Sequence, residues 1–182
     1  MIFYVKYLLL TATLMSMALL TACDSASSKG LENDVVTSSI VTSSVVTSND
    51  VNSNNHWAGQ WRIINIWAEW CKPCWKEIPE LNQFYAAQKD SDIKLLGFNF
   101  DELEHDELVI LKEKMSIDFP VLSQWPAVWT KPDVMGLPAT VIIAPDNIII
   151  DVLWGEQTVE SLNVAIEKAK QVAKDNLELL AK

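Results

Sequence analysis

The chain has 182 residues, 24 of them acidic against 14 basic, for a formal charge of -10, and it contains three cysteines. A chain this acidic argues against nucleic acid as a partner and against electrostatic adhesion to anionic lipid. Three cysteines are too few for a disulfide framework, and the length suits one domain with its own core.

Taken in order, the first element is an apolar run from Leu8 to Leu20 behind Lys6. It is too short for a dedicated membrane span and closes in small residues, so residues 1–22 read as a secretion signal. Residues 23–56 are rich in Ser, Thr, Val, Asn and Asp, with a repeat that runs Val35-Val36-Thr37-Ser38-Ser39, Ile40-Val41-Thr42-Ser43-Ser44, Val45-Val46-Thr47-Ser48-Asn49. The β-branched residues leave a strand possible there, but low complexity favours a disordered tether with an end-to-end distance of roughly 30 Å. Residues 57–182 then form one α/β domain. Its expected elements are a strand over 62–68, a helix over 73–89 with a kink at Pro79, a strand over 93–100 and a helix over 103–115. A short extended piece over 119–122 follows, then strands over 140–144 and 148–153 joined antiparallel at Pro145-Asp146-Asn147, and a helix over 159–181.

The chemistry gathers at Ile63-Ile64-Asn65-Ile66-Trp67-Ala68-Glu69-Trp70-Cys71-Lys72-Pro73-Cys74. A buried strand runs straight into a Cys-x-x-Cys that opens a helix, which places Cys71 where unpaired backbone N–H groups and the helix dipole favour a thiolate. Cys74 lies one turn further in, near enough to attack a mixed disulfide formed at Cys71. The two form a redox-active pair, and of the three cysteines only Cys23 lies outside it. Trp70 and Trp75 bracket the pair, while Trp125 and Trp129 lie upstream of Pro138; together they are candidates for an apolar docking rim, against the alternative that they are core.

Two resemblances go further. Leu20-Thr21-Ala22-Cys23 resembles the bacterial lipoprotein cleavage box, which implies acylation of Cys23 and a lipid anchor; the alternative is an ordinary signal peptide or an uncleaved anchor helix. Asp24 resembles the signal that retains lipoproteins in the inner membrane, implying a cell-envelope protein that faces the periplasm. Trp-Ala-Glu-Trp-Cys-Lys-Pro-Cys, with Gly136-Leu137-Pro138-Ala139-Thr140 downstream, resembles the thioredoxin superfamily, and within it the TlpA/ResA-like membrane-tethered thiol-disulfide oxidoreductases. That resemblance implies a thioredoxin-like fold, a central mixed β-sheet flanked by helices. It also implies a cis Pro138 facing the pair, with Leu137 offering backbone to an extended substrate, and a partly buried Glu77 serving proton transfer, matched through Cys-x-x-Cys-x-x-Glu-x-Pro. Asn65 stands where cytoplasmic thioredoxins carry a buried Asp. The implied activity is reduction of protein disulfides, with electrons from a membrane thiol donor of the DsbD/CcdA type and no cofactor. Members of the group usually open with a hairpin, which residues 35–55 either lack or form in degenerate fashion.

Two other functions use the same residues. The pair run in the opposite direction makes an oxidase or isomerase. A metal-delivery module needs further ligands beyond Cys-x-x-Cys, and the domain offers only His56 and His105, the latter among acidic residues at a helix start. The acidic cluster from Asp101 to Glu107 is expected to be a solvated helix start with no catalytic part.

Overall fold

The structure is a computed structural model that describes residues 45–46, 57 and 59–180. The expected signal peptide, the Cys23 lipidation site, His56 and most of the tether lie outside the described residues. Among the described residues nine elements follow in chain order. They are β1 (Val45–Val46), β2 (Trp61–Trp67), α1 (Lys72–Ala87), β3 (Ile93–Asn99), α2 (His105–Lys114), β4 (Val121–Leu122), β5 (Ala139–Ile143), β6 (Ile149–Trp154) and α3 (Val159–Leu180). Each element expected within 57–182 is present, with ends shifted by one or two residues. No described helix is long and apolar enough to cross a membrane.

The strands form one sheet in the order β1-β4-β3-β2-β5-β6. β2 is central because all seven of its residues are apolar or otherwise shielded, which a strand tolerates only when both sheet faces are covered. It runs parallel to β3, reached through α1, and antiparallel to β5, so the sheet is mixed. On one face Ile63 and Trp67 pack with Ile78, Leu81 and Phe84 of α1 and with Leu162 and Ile166 of α3. On the other, Ile64 and Ile66 pack with Phe98, Val141, Trp57 and Trp129. Each fully buried isoleucine in β2 contributes roughly 1.5–3 kcal/mol of apolar burial. α1 runs unbroken through Pro79, whose ring is exposed; the missing N–H costs the helix one hydrogen bond without ending it.

Two features add to the expected fold. Val45 and Val46, inside the segment expected to be a tether, form β1 and pair in parallel with Val121 and Leu122 of β4. Both are 5% exposed, so the sheet takes in residues ahead of position 57. A short β-branched pair is marginal in isolation, and it is the unpaired β4 edge that recruits it. The second feature is Arg62, inside the expected strand and buried within β2, for which no role was expected. Its guanidinium donates to the Trp57 and Ala144 carbonyls and, at 2.8 Å, to Asn147 Oδ1, and it lies 5.2 Å from the Trp129 ring centroid. This cation pins the β5–β6 turn, in which Asn147 takes the left-handed conformation at φ 72°.

Candidate active site

Strand register brings four chain segments to one end of the sheet. Ile66 and Trp67, the last residues of β2, pair with Ala139 and Asn99, and Ala139 pairs in turn with Trp154. The segments just beyond these residues therefore meet: Ala68 to Cys71, Phe100 to Asp101, Leu137 to Pro138, and Gly155 to Gln157. A chain that leaves a central strand and enters a helix at once presents its turn residues at that end.

Cys71 is the N-cap of α1, with extended backbone at φ -81° and ψ 95°, and its Sγ accepts the Cys74 N–H at 3.2 Å. Pro73 occupies the first turn, where an N–H would have no helical partner. Cys71 and Cys74 are joined in a disulfide with 5.3 Å between Cα atoms. Both are buried, Cys71 at 3% exposure and Cys74 at 0%. The N–H aimed at Cys71 Sγ and the helix N-terminus stabilise negative charge on that sulfur once the pair is reduced. Lys72, between them, is exposed.

Glu77 follows Cys74 by three residues, on the same face of α1 one turn deeper. It is 2% exposed, an unusual setting for a carboxylate. Asn65 Nδ2 of β2 donates to its Oε1 at 2.8 Å and also to Thr140 Oγ1 at 3.3 Å, while the Gln157 backbone N–H donates to Oε2 at 2.9 Å. Burial raises the Glu77 pKa from an ordinary 4.5 to about 7, against the downward pull of the Asn65 and Gln157 hydrogen bonds and with a smaller upward push from Glu156. Glu77 is thus an acid that titrates near neutrality, one helical turn beyond Cys74.

The Leu137–Pro138 peptide bond is cis. Pro138 is buried and its carbonyl accepts the Gly155 N–H at 2.9 Å, while Leu137 is half-buried against both apolar clusters. Trp70 is 63% exposed, stands edge-on to Phe100 and donates to the Asp101 carboxylate at 3.0 Å. Trp75 is 36% exposed and donates to the Glu69 carbonyl at 2.8 Å. Both indoles are held by their N–H groups with ring surface turned to solvent beside the cysteine turn.

Trp129 does not belong to such a rim: at 4% exposure it is core, tilted against Trp57 and under the Arg62 guanidinium. Trp125 is half-buried, edge-on to Phe98, with its N–H on the Trp129 carbonyl. The 123–137 loop that carries both indoles packs them onto the open sheet face. Asp101, expected only to be solvated, holds Trp70 in place. No sequence signal marked Gln157, whose backbone reaches Glu77 across 80 positions. His105 begins α2 and is exposed, and no group of three or more His, Cys, Asp or Glu side chains placed to hold a metal occurs among the described residues.

The sheet order, the helix-borne cysteine pair and the cis-proline loop define a thioredoxin-like fold. A thiol:disulfide interchange protein of the thioredoxin family from Chlorobium tepidum TLS has that fold, with a TM-score of 0.53 at 20% identity over 71% of this chain and 94% of its own. Residues 41–152 match the AhpC/TSA family, and the chain belongs to that family. The thiol-disulfide oxidoreductase ResA of Bacillus cereus is 30% identical over 111 residues, covering 60% of this chain and 64% of that protein. ResA of Geobacillus kaustophilus is 28% identical over 117 residues, covering 63% and 66%. The chain thus matches a little under two thirds of the length of these relatives.

Proposed function

We propose that the protein is a thiol-disulfide oxidoreductase that reduces disulfides in protein substrates outside the cytoplasm, tethered to a membrane by lipid on Cys23. The observation that carries the chemistry is the Cys71–Cys74 disulfide at the N-terminus of α1, with buried Glu77 one turn beyond it. Similarity to proteins named ResA supports the same chemistry. The direction, the membrane thiol donor of DsbD/CcdA type and the envelope location follow from the resemblance of the sequence motifs and from residues 1–24.

In the reduced protein the Cys71 thiolate attacks one sulfur of a substrate disulfide. A Cys71–substrate disulfide forms and the second substrate sulfur leaves as a thiolate. Cys74 gives its proton to the Glu77 carboxylate and attacks Cys71 Sγ, which restores the internal disulfide and releases the first substrate sulfur. Two electrons pass to the substrate, and a membrane dithiol returns two to the pair. The Leu137 backbone beside cis Pro138 and the exposed faces of Trp70 and Trp75 are the surfaces on which an extended substrate segment lies.

Cys74→Ser tests this sequence of steps. Mixed with a peptide disulfide, the reduced variant is expected to accumulate a one-to-one covalent adduct at Cys71, visible by mass spectrometry. Cys71→Ser is expected to form none; an adduct on Cys74 in that variant at the rate of C74S would reverse the roles of the two sulfurs.

A further inference from the structure

The reading of Glu77 as the proton acceptor leaves open what holds that carboxylate in place, because α1 supplies only one side of its surroundings. The other side is the short turn between β6 and α3, and the turn is organised by one side chain. Gln157 is 8% exposed although amides are usually solvated. Its Nε2 donates to the Gly155 carbonyl at 2.9 Å and its Oε1 accepts the Ser161 hydroxyl at 2.9 Å. Gly155 has φ +84°, a conformation that glycine adopts without strain, and its N–H is the one that meets the Pro138 carbonyl. The backbone N–H of Gln157 itself meets Glu77 Oε2. A continuous run of hydrogen bonds therefore links the cis-proline loop, Gly155, Gln157, Glu77 and Asn65.

We infer that Gln157 is a positioning residue for the acid. By tying the Gly155 carbonyl to the first turn of α3, its side chain fixes the turn so that its own N–H stays on Glu77 and the Gly155 N–H stays on Pro138. The inference rests on the proposed role of Glu77. It concerns a residue that acts through that carboxylate. α1 holds a second carboxylate to the same turn, since Glu80 Oε2 accepts the Val159 N–H at 3.0 Å.

The charged groups around Glu77 are few. Glu80 lies on its own helix, and Glu156 in the turn is paired with Lys76 at 3.6 Å. Glu160 in the first turn of α3 is exposed, and β2 and β5 contribute the neutral Asn65 and Thr140. A lost N–H donor to Glu77 weakens its charged form more than its neutral form, so loosening the turn raises its affinity for the proton.

The test is the carboxyl titration of Glu77 by carbon NMR in the oxidised full chain, for the parent, Gln157→Ala and Gln157→Met. The methionine keeps the volume of the side chain and loses both of its hydrogen bonds, so it carries the test should the alanine variant fail to fold. A rise in proton affinity of roughly threefold or more in the folded variants is expected, the size of one weakened hydrogen bond to a charged group. A Glu77 titration that coincides with the parent in Gln157→Met would overturn the inference, because the turn would then hold its N–H on Glu77 without the side chain. The proposed role of Glu77 is decided separately: were Glu77→Gln to exchange disulfides at the parental rate from pH 6 to 8, that role would fall while the titration still ruled on Gln157.

Discussion

The buried carboxyl of Glu77 makes the stability of the fold depend on pH. Below pH 4.5 it is protonated whether the chain is folded or not, and it has no effect on the pH dependence of folding. Between about 4.5 and 7 the folded protein keeps a proton that the unfolded chain has released, so stability falls as pH rises through this window. Above about 7 both states are ionised and the full cost of the buried charge, about 3 kcal/mol, is present. Glu77→Gln removes the charge, so its stability relative to the parent is expected to rise by roughly 1–3 kcal/mol between pH 5 and pH 8. Denaturant unfolding of both oxidised proteins at the two pH values measures this, and a difference that is the same at both would mean that Glu77 titrates normally. The cysteine pair stood out in the sequence because a buried strand that runs into Cys-x-x-Cys is a local signal, whereas Glu77 and Pro138 were singled out through the family resemblance and not by spacing. Gln157 was not legible in the sequence, because its contact with Glu77 exists only once α3 has docked on α1.

At the scale of elements, α1 organises the site. It is capped by Cys71, places Cys74 and Glu77 on one face, and buries Ile78, Leu81 and Phe84 against β2. Leu81 is fully buried, and Leu81→Ala is expected to lower the unfolding free energy by about 2–5 kcal/mol through lost contacts and a residual cavity. The sheet has a tight point at Gly97 in β3, where an added Cβ would stand 3.0 Å from Trp67 Nε1 and 3.1 Å from both Phe119 Cε2 and Val121 Cγ2. Gly97→Ala is therefore expected to destabilise by about 1–3 kcal/mol. A thermal melt equal to the parent's would mean that Trp67 and Phe119 can yield. Strands and helices were readable from period and turn residues, and Pro145-Asp146-Asn147 marked its hairpin. The fate of Trp129 was not readable: a tryptophan in a proline-rich loop is apolar rim or core depending on whether a sheet face is left open beneath it.

At the scale of the molecule, the mixed sheet fixes the distance between the cysteine turn and the cis-proline loop by pairing β2 with β5, so the site sits on rigid elements. β1 completes the sheet edge from a stretch whose composition suggested coil. A form shortened to begin at Trp57 is expected to lose on the order of 1–3 kcal/mol, the burial of two valines less the cost of ordering them. Urea unfolding of both forms compares them, and equal midpoints would make β1 dispensable. Direction of electron flow is a property of the whole protein, set by the balance of its oxidised and reduced states. The most direct measurement is the equilibrium redox potential of the Cys71/Cys74 pair, read by tryptophan fluorescence in thiol buffers. A value near the roughly -270 mV of a thioredoxin is expected for a reductase fed by a membrane donor, whereas one near the roughly -120 mV of a strong periplasmic oxidant would contradict it.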